Sequence, residues 1–239
     1  MPIRTSFLIR GLGVVALAAA LGGCMADRDV TGSIMKTSAS HEVTPEQRDA
    51  RWRKLAASYG AAYQKNPADA ATAYGYGLAL RALGQRAQAV AVLESASIKH
   101  PQQKQILAAY GRALADVGRL DEALSVLERA HTPDNPDWRI LNAQGAILDQ
   151  LGRSGEARGY YAAALKIAPG EPSILSNLGL SYALTKDLAK AEATLQQAAS
   201  SPKADAAVRA NLALVLSLKR GDPALAAKAA KATKPKPAA

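Results

Sequence analysis

The residues that could do chemistry in this sequence are few, and their spacing does not assemble a catalytic centre. The single cysteine is Cys24, and the three histidines, His41, His100 and His131, lie far apart along the chain. The sequence contains no His-x-x-x-His pair, no Gly-x-Ser-x-Gly elbow and no phosphate-binding glycine loop. One cysteine also excludes an internal disulfide and a cysteine-based zinc site. We therefore expect a protein that is not an enzyme and that holds no metal or cofactor.

Cys24 follows a segment that is typical of an export signal. Arg4 and Arg10 precede an apolar run over residues 11–21, which is too short to span a bilayer as a mature helix. Residues 21–24, Leu-Gly-Gly-Cys, resemble the lipobox of bacterial lipoproteins. That resemblance implies cleavage before Cys24 and acylation of its thiol, and Met25 in place of Asp favours the outer membrane. The alternative is an ordinary signal peptide with an incidental cysteine.

The domain boundaries follow from composition. We expect a signal peptide over 1–23, then the lipidated cysteine and a polar, aperiodic tether over 24–44. A flexible tether of this length spans about 25 Å. A capping helix is expected over 45–66, four repeats over 67–203, a partial repeat over 204–227 and a basic disordered tail over 228–239.

The repeats hold small and large residues in register at a period of 34 residues. Glycine and alanine columns recur where two helices must approach closely, and a larger residue follows the alanine by one helical turn. A second glycine column falls where the first helix must turn. The columns are Gly77, Gly111, Gly145 and Gly179; Ala89, Ala123, Ala157 and Ala191; Leu93, Leu127, Tyr161 and Leu195; and Gly84, Gly118 and Gly152.

These columns resemble the tetratricopeptide-repeat (TPR) pattern, which also ends each unit with proline. The first unit matches with Tyr76-Gly77, Leu80, Gly84 and Pro101, whereas the closing position is Asn135 in the second unit and Lys203 in the fourth. The resemblance implies an all-α TPR solenoid of antiparallel helix pairs, with about four full repeats and flanking helices. It also implies a concave groove, lined by the first helices, that binds protein.

The groove positions of that family fall on ten residues that we single out as candidate binding residues. Asn177 and Asn211 share the position at which family members hold the backbone of an extended peptide with asparagine amides; the alternative is two solvated amides. The groove lacks the lysine-rich clamp for C-terminal carboxylates, so that ligand is not expected. The ten residues are Tyr74, Leu78, Arg81, Arg112, Arg139, Asn142, Asp149, Asn177, Leu180 and Asn211.

The loop over residues 131–138 is the least repeat-like part of the array. One interpretation is a proline-stiffened turn in which Asp137 caps the next helix and Trp138 packs at the junction of two repeats. The other is a docking point for a partner, because tryptophan is favoured at interface hot spots. The sequence leaves both interpretations open.

The formal charge of +10 does not indicate a nucleic-acid-binding surface. Residues 67–202 carry 13 basic and 13 acidic side chains, whereas residues 203–239 carry 8 basic and 2 acidic ones. The surplus therefore lies outside the repeats, and we expect no nucleic-acid partner.

Lipobox, tether and repeats together resemble the TadD-type lipoproteins of the tight-adherence (Flp) pilus assembly system. The segments 130–152 and 173–184 carry the more specific likeness. The resemblance implies a lipid-anchored outer-membrane protein that faces the periplasm and acts like a pilotin on the pilus secretin or on other pilus components. The alternative is a general cell-envelope scaffold that recruits peptidoglycan enzymes or outer-membrane assembly factors.

Overall fold

The structure is a computed structural model that describes residues 44–132 and 134–221. The predicted leader, the predicted lipidation site Cys24, most of the predicted tether, the end of the partial repeat and the basic tail lie outside those residues. The described residues form ten α-helices, which are α1 (Pro45–Lys65), α2 (Ala70–Ala82), α3 (Arg86–Lys99), α4 (Lys104–Asp116), α5 (Leu120–Arg129), α6 (Trp138–Gln150), α7 (Ser154–Ile167), α8 (Pro172–Leu184), α9 (Leu188–Ala199) and α10 (Ala206–Arg220).

The helices stack as a one-dimensional array. Each helix packs chiefly against the helices next to it in sequence, and the even-numbered helices α2, α4, α6, α8 and α10 also pack on one another in order. We call these even-numbered helices the first helices, because each opens a repeat. The prediction of an all-α solenoid is confirmed. None of the described helices is long and apolar enough to cross a membrane.

The glycine column explains how closely the two helices of a repeat approach. A Cβ atom on Gly77 would lie 2.5 Å from Cγ of Leu93, and one on Gly145 would lie 2.6 Å from Cε1 of Tyr161. Real Cβ atoms do not approach other atoms this closely, so only glycine fits beneath the larger residue of the second helix. The pairing of the glycine and large-residue columns is therefore a packing constraint.

The turn between the two helices of each repeat contains a residue with a left-handed backbone. Gly84, Gly118 and Gly152 have φ of 74°, 81° and 77°, as their column predicts. The equivalent residue of the fourth repeat is Lys186, which adopts φ of 63°. A side chain at that angle is strained, since Cβ crowds the following carbonyl.

Side-chain caps start α1 and three of the first helices. Thr44 and Gln47 form a capping box at α1. Asp69 accepts a hydrogen bond from Thr72 N at the start of α2, and Asp205 accepts one from Val208 N at the start of α10, each at 2.9 Å. Asp137 caps α6 in the same way, whereas the residues before α4 and α8 make no such bond.

Candidate protein-binding groove

The first helices line two adjoining cavities toward the N-terminal end of the array. The first, which we call the aromatic cavity, has a volume of about 520 Å³ and lies between α1, α2 and the start of α4. Its larger apolar lining residues are Trp52, Leu55, Tyr59, Tyr74, Leu78 and Ile106. Gly75 lets Tyr59 lie against α2, since a Cβ there would be 2.5 Å from the Tyr59 ring.

The second cavity, which we call the cationic cavity, has a volume of about 570 Å³ and extends to the start of α6. Tyr74 and Gln105 line both cavities, so the two form one continuous surface, the groove. The charged lining residues of the cationic cavity are Lys104, Arg112, Arg139 and Asp137.

Arg139 and Trp138 are arranged at the wall of the cationic cavity by the helix cap. The Asp137 carboxylate accepts a hydrogen bond from Arg139 N at 2.7 Å, which starts α6. The Arg139 guanidinium lies over the Trp138 ring, 4.5 Å from its centre. This cation–π contact holds an exposed positive charge at a defined place in the groove.

The loop before α6 forms one side of the cationic cavity. Asn135 N donates to Thr132 O at 3.1 Å, which closes the turn, and His131 Nε2 lies 3.2 Å from Oε1 of the buried Gln144. Trp138 packs against the core cluster that contains Leu141. The cap by Asp137 and the packing of Trp138 agree with the first interpretation of this loop. Trp138 also lines the cavity, and the docking interpretation stays a prediction.

Four of the ten predicted residues have side chains that line the groove. Tyr74, Leu78, Arg112 and Arg139 line the two cavities. The Arg81 guanidinium instead binds the Asp116 carboxylate of the next first helix, with Nε 2.7 Å from Oδ2. Arg81 therefore links α2 to α4.

The other five predicted residues are buried inside the array, so they do not lie at the groove surface where we expected them. Leu180 is 0% exposed, because it packs inside the array. Asn177 and Asn211 are also 0% exposed, so neither is a solvated amide. Asn177 Nδ2 donates to Oδ1 of the buried Asn142 at 3.0 Å, and Asn211 Nδ2 donates to Ser176 Oγ at 3.0 Å. These amides join neighbouring first helices.

Asp149, the fifth of these residues, is a buried carboxylate at the junction of three helices. Tyr161 OH donates to its Oδ2 at 2.9 Å, and Ser181 Oγ donates to its Oδ1 at 2.8 Å. Burial raises the pKa of Asp149 above its ordinary value, and hydrogen bonds from Ser154, Ser181 and Tyr161 oppose that rise. Asp149 therefore acts inside the array.

Sequence reasoning missed Trp52 and Lys104, which line the groove. Trp52, Leu55 and Tyr59 are spaced by three and four residues on α1, which places them on one helix face. That spacing was the available signal for the aromatic cavity. Lys104 is the first residue of α4, where the repeat pattern specifies no residue type.

Stacked helix pairs that bury an alanine and leucine core and leave a groove along the first helices define a solenoid repeat protein. The tetratricopeptide-repeat model matches residues 74–137, 134–172 and 142–207, which together cover more than half of the 239 residues. The chain belongs to the tetratricopeptide-repeat family. No curated protein matches the sequence.

Solved structures with the same fold include proteins of different kinds. A thermophilic tetratricopeptide-repeat protein of Thermus thermophilus is 21% identical with a TM-score of 0.63, over 70% of this chain and 91% of that one. PilW, a widely conserved type IV pilus biogenesis factor, is 19% identical with a TM-score of 0.63, over 76% of this chain and 84% of that one. A chain of the APC/C hetero-tetramer Cut9-Hcn1 is 20% identical with a TM-score of 0.63, over 80% of this chain. The matched region spans only 38% of that longer chain.

Proposed function

We propose that this protein is a periplasmic scaffold that binds a protein partner in the groove and catalyses no reaction. The observation that carries the proposal is the continuous groove of two cavities, with aromatic and cationic side chains at its surface, in a tetratricopeptide-repeat chain. Exposed aromatic and arginine side chains in a concave surface are typical of interface hot spots. Peptides and helices are commonly bound in such grooves.

We further propose that the scaffold is anchored to the outer membrane through Cys24 and assists assembly of the Flp pilus. The lipobox-like residues 21–24 support the anchor, and the TadD-type likeness of residues 130–152 and 173–184 supports the pilus role. PilW shares the fold and is itself a pilus biogenesis factor. The proposed partner is the pilus secretin or another pilus component, and the mode of action is pilotin-like.

The proposal is tested by crosslinking capture from outer membranes of the native host. The bait is the full chain, compared with Cys24→Ala and with a groove variant, Lys104→Glu with Arg139→Glu. Both positions lie in the first turn of a helix, where an acidic side chain suits the helix dipole, so the variant is expected to fold. Asn142 and Asn177 are unsuitable for this purpose, because they are buried.

A matched control carries the same charge change away from the cavities, Lys54→Glu with Arg86→Glu, since both side chains are exposed. We expect the secretin to be captured by the intact chain and by this control, and to be lost with the groove variant. Loss of membrane capture with Cys24→Ala is expected from the anchor. Capture of cell-wall enzymes in place of the secretin would instead support the general envelope scaffold.

A further inference from the structure

We propose that the groove selects an extended peptide segment that carries a bulky apolar side chain and, about three residues away, acidic side chains. The apolar side chain enters the aromatic cavity and the acidic ones enter the cationic cavity. The inference rests on the proposed function, that the groove binds protein, and adds the chemistry of the partner.

The aromatic cavity is suited to an apolar side chain. Trp52, Tyr59 and Tyr74 are half-buried, so each presents part of a ring to the cavity while the rest packs on the array. The one charged residue in its lining is Asp69, whose Oδ1 accepts from Thr72 N at 2.9 Å as the cap of α2. Hydrogen bonds from Thr72 lower the pKa of Asp69, which keeps that carboxylate ionised in its capping role. Aromatic walls without a lining cation favour an apolar guest.

The cationic cavity is suited to carboxylates. Lys104, Arg112 and Arg139 place three positive charges in its lining against the single carboxylate of Asp137. That carboxylate caps α6 by accepting from Arg139 N. Clustered charges of one sign in a concave surface raise the local concentration of the opposite charge and repel like charges. Acidic side chains are therefore favoured here and basic ones are disfavoured.

The distance between the cavities sets the spacing within the peptide. Both cavities are lined by Tyr74 and Gln105, and their outer walls are α1 and α6. Packed helices lie about 8–10 Å apart, so the two cavities are offset by about one helix spacing. An extended chain covers that distance in about three residues at about 3.3 Å each. The exposed Gln105 amide lies at the junction, where it can bond the peptide backbone.

The expected ligand differs from a C-terminal carboxylate. The groove has a cavity on either side of Tyr74, so it has room for chain on both sides of the contact. The carboxylates are therefore expected on side chains within a longer segment.

The test uses fluorescein-labelled peptides of one design and the purified full chain in detergent. The first peptide is Gly-Ser-Trp-Ser-Gly-Glu-Glu-Ser-Gly. The second replaces both glutamates by lysine, and the third replaces tryptophan by alanine. Fluorescence anisotropy is expected to show at least about tenfold tighter binding of the first peptide than of either of the others.

Variants assign the two parts of the peptide to the two cavities. Lys104→Glu with Arg139→Glu is expected to weaken binding of the acidic peptide about tenfold and to strengthen binding of the lysine peptide. Trp52→Ala is expected to remove the advantage of the tryptophan peptide over the alanine peptide. The control, Lys54→Glu with Arg86→Glu, should bind all three peptides like the intact chain. Circular dichroism checks that each variant is folded.

Equal binding of the three peptides, or a charge reversal that leaves their ranking unchanged, would overturn the inference. Failure of the proposed function is seen separately in membrane capture. If the secretin is lost with Trp52→Ala but retained by the charge-reversed variant, the groove binds its partner by apolar contacts and only the acidic preference is wrong. If both variants retain the secretin, the groove is not its binding surface.

Discussion

The buried carboxylate of Asp149 shows how a departure from the repeat pattern at one position is stabilised by a polar residue at another. The large-residue column contains leucine in the first, second and fourth repeats, whereas the third repeat has Tyr161 there. Tyr161 is 0% exposed, so its hydroxyl needs a partner inside the array, and Asp149 supplies it. Ser181 of α8 bonds the other carboxylate oxygen. The third and fourth repeats are thus joined by a polar contact within an apolar core.

We expect Tyr161→Phe to lower the free energy of unfolding by about 1–3 kcal/mol at pH 7, because it removes a hydrogen bond from a buried carboxylate. Urea denaturation measures the loss. Tyr160→Phe is the control, since Tyr160 is the adjacent tyrosine and is only half-buried, and a change within about 0.5 kcal/mol is expected there.

The same variant has a defined pH dependence. Burial holds the folded pKa of Asp149 above its unfolded value, so the stability that this carboxyl contributes is fully present below the unfolded pKa. It declines as the pH rises through the folded pKa. The penalty of Tyr161→Phe should therefore be smaller at pH 4 than at pH 7, since a protonated carboxyl depends less on a donor. A penalty that grows in acid would contradict this assignment.

At the scale of the helix, the glycines fall into two groups: those where a side chain would clash with a neighbouring helix and those where it would meet open space. Gly145 of α6 lies beneath the Tyr161 ring and leaves no space for a Cβ atom. Gly155 and Gly159 of α7 are exposed, and a Cβ atom on either would contact nothing within 4 Å. Glycine in an exposed helix interior costs conformational entropy without any gain in packing.

Gly159→Ala is expected to stabilise the protein by about 0.5–1 kcal/mol. Gly155→Ala is expected to stabilise it less, because Gly155 is the second residue of α7 and lies in its first turn. Gly145→Ala is the contrasting substitution, and it should destabilise the protein because Cβ would lie 2.6 Å from Tyr161 Cε1. Urea denaturation of the three variants at one pH makes the comparison. Similar effects at Gly145 and Gly155 would show that helix propensity, and not contact with Tyr161, decides both.

The helices were predictable from the sequence because each repeat places the same residue types at the same packing positions. Gly77 beneath Leu93 and Gly145 beneath Tyr161 are read directly from the period. The groove was predictable only in part. The position of a residue within a repeat indicates only the average direction of its side chain. Leu78 and Leu180 occupy the same position in their repeats. Leu78 borders the aromatic cavity, whereas Leu180 is buried, because burial depends on neighbouring repeats that a single column does not describe.

At the scale of the whole molecule, the charge of the repeats is balanced while the charge of the groove is not. Residues 67–202 carry equal numbers of basic and acidic side chains, and three of the cations line the cationic cavity. Folding and binding should therefore respond differently to salt, because screening weakens an unbalanced cluster of charges more than a balanced surface.

Between about 0.05 and 0.5 M NaCl, we expect the free energy of unfolding to change by less than about 0.5 kcal/mol, whereas affinity for the acidic peptide falls several-fold. Urea denaturation and fluorescence anisotropy on the same preparation measure the two quantities. Affinity that is independent of salt would show that Lys104, Arg112 and Arg139 do not contact the acidic side chains.

The nearest-neighbour packing of the repeats also has a mechanical consequence. A load applied between the two ends of the array passes through every interface between neighbouring repeats in series, so the deformations of the interfaces add. Small rotations at α2–α4, α4–α6, α6–α8 and α8–α10 sum to a change in curvature while each helix pair keeps its core. A partner that closes the groove would therefore bend the array as an elastic spring.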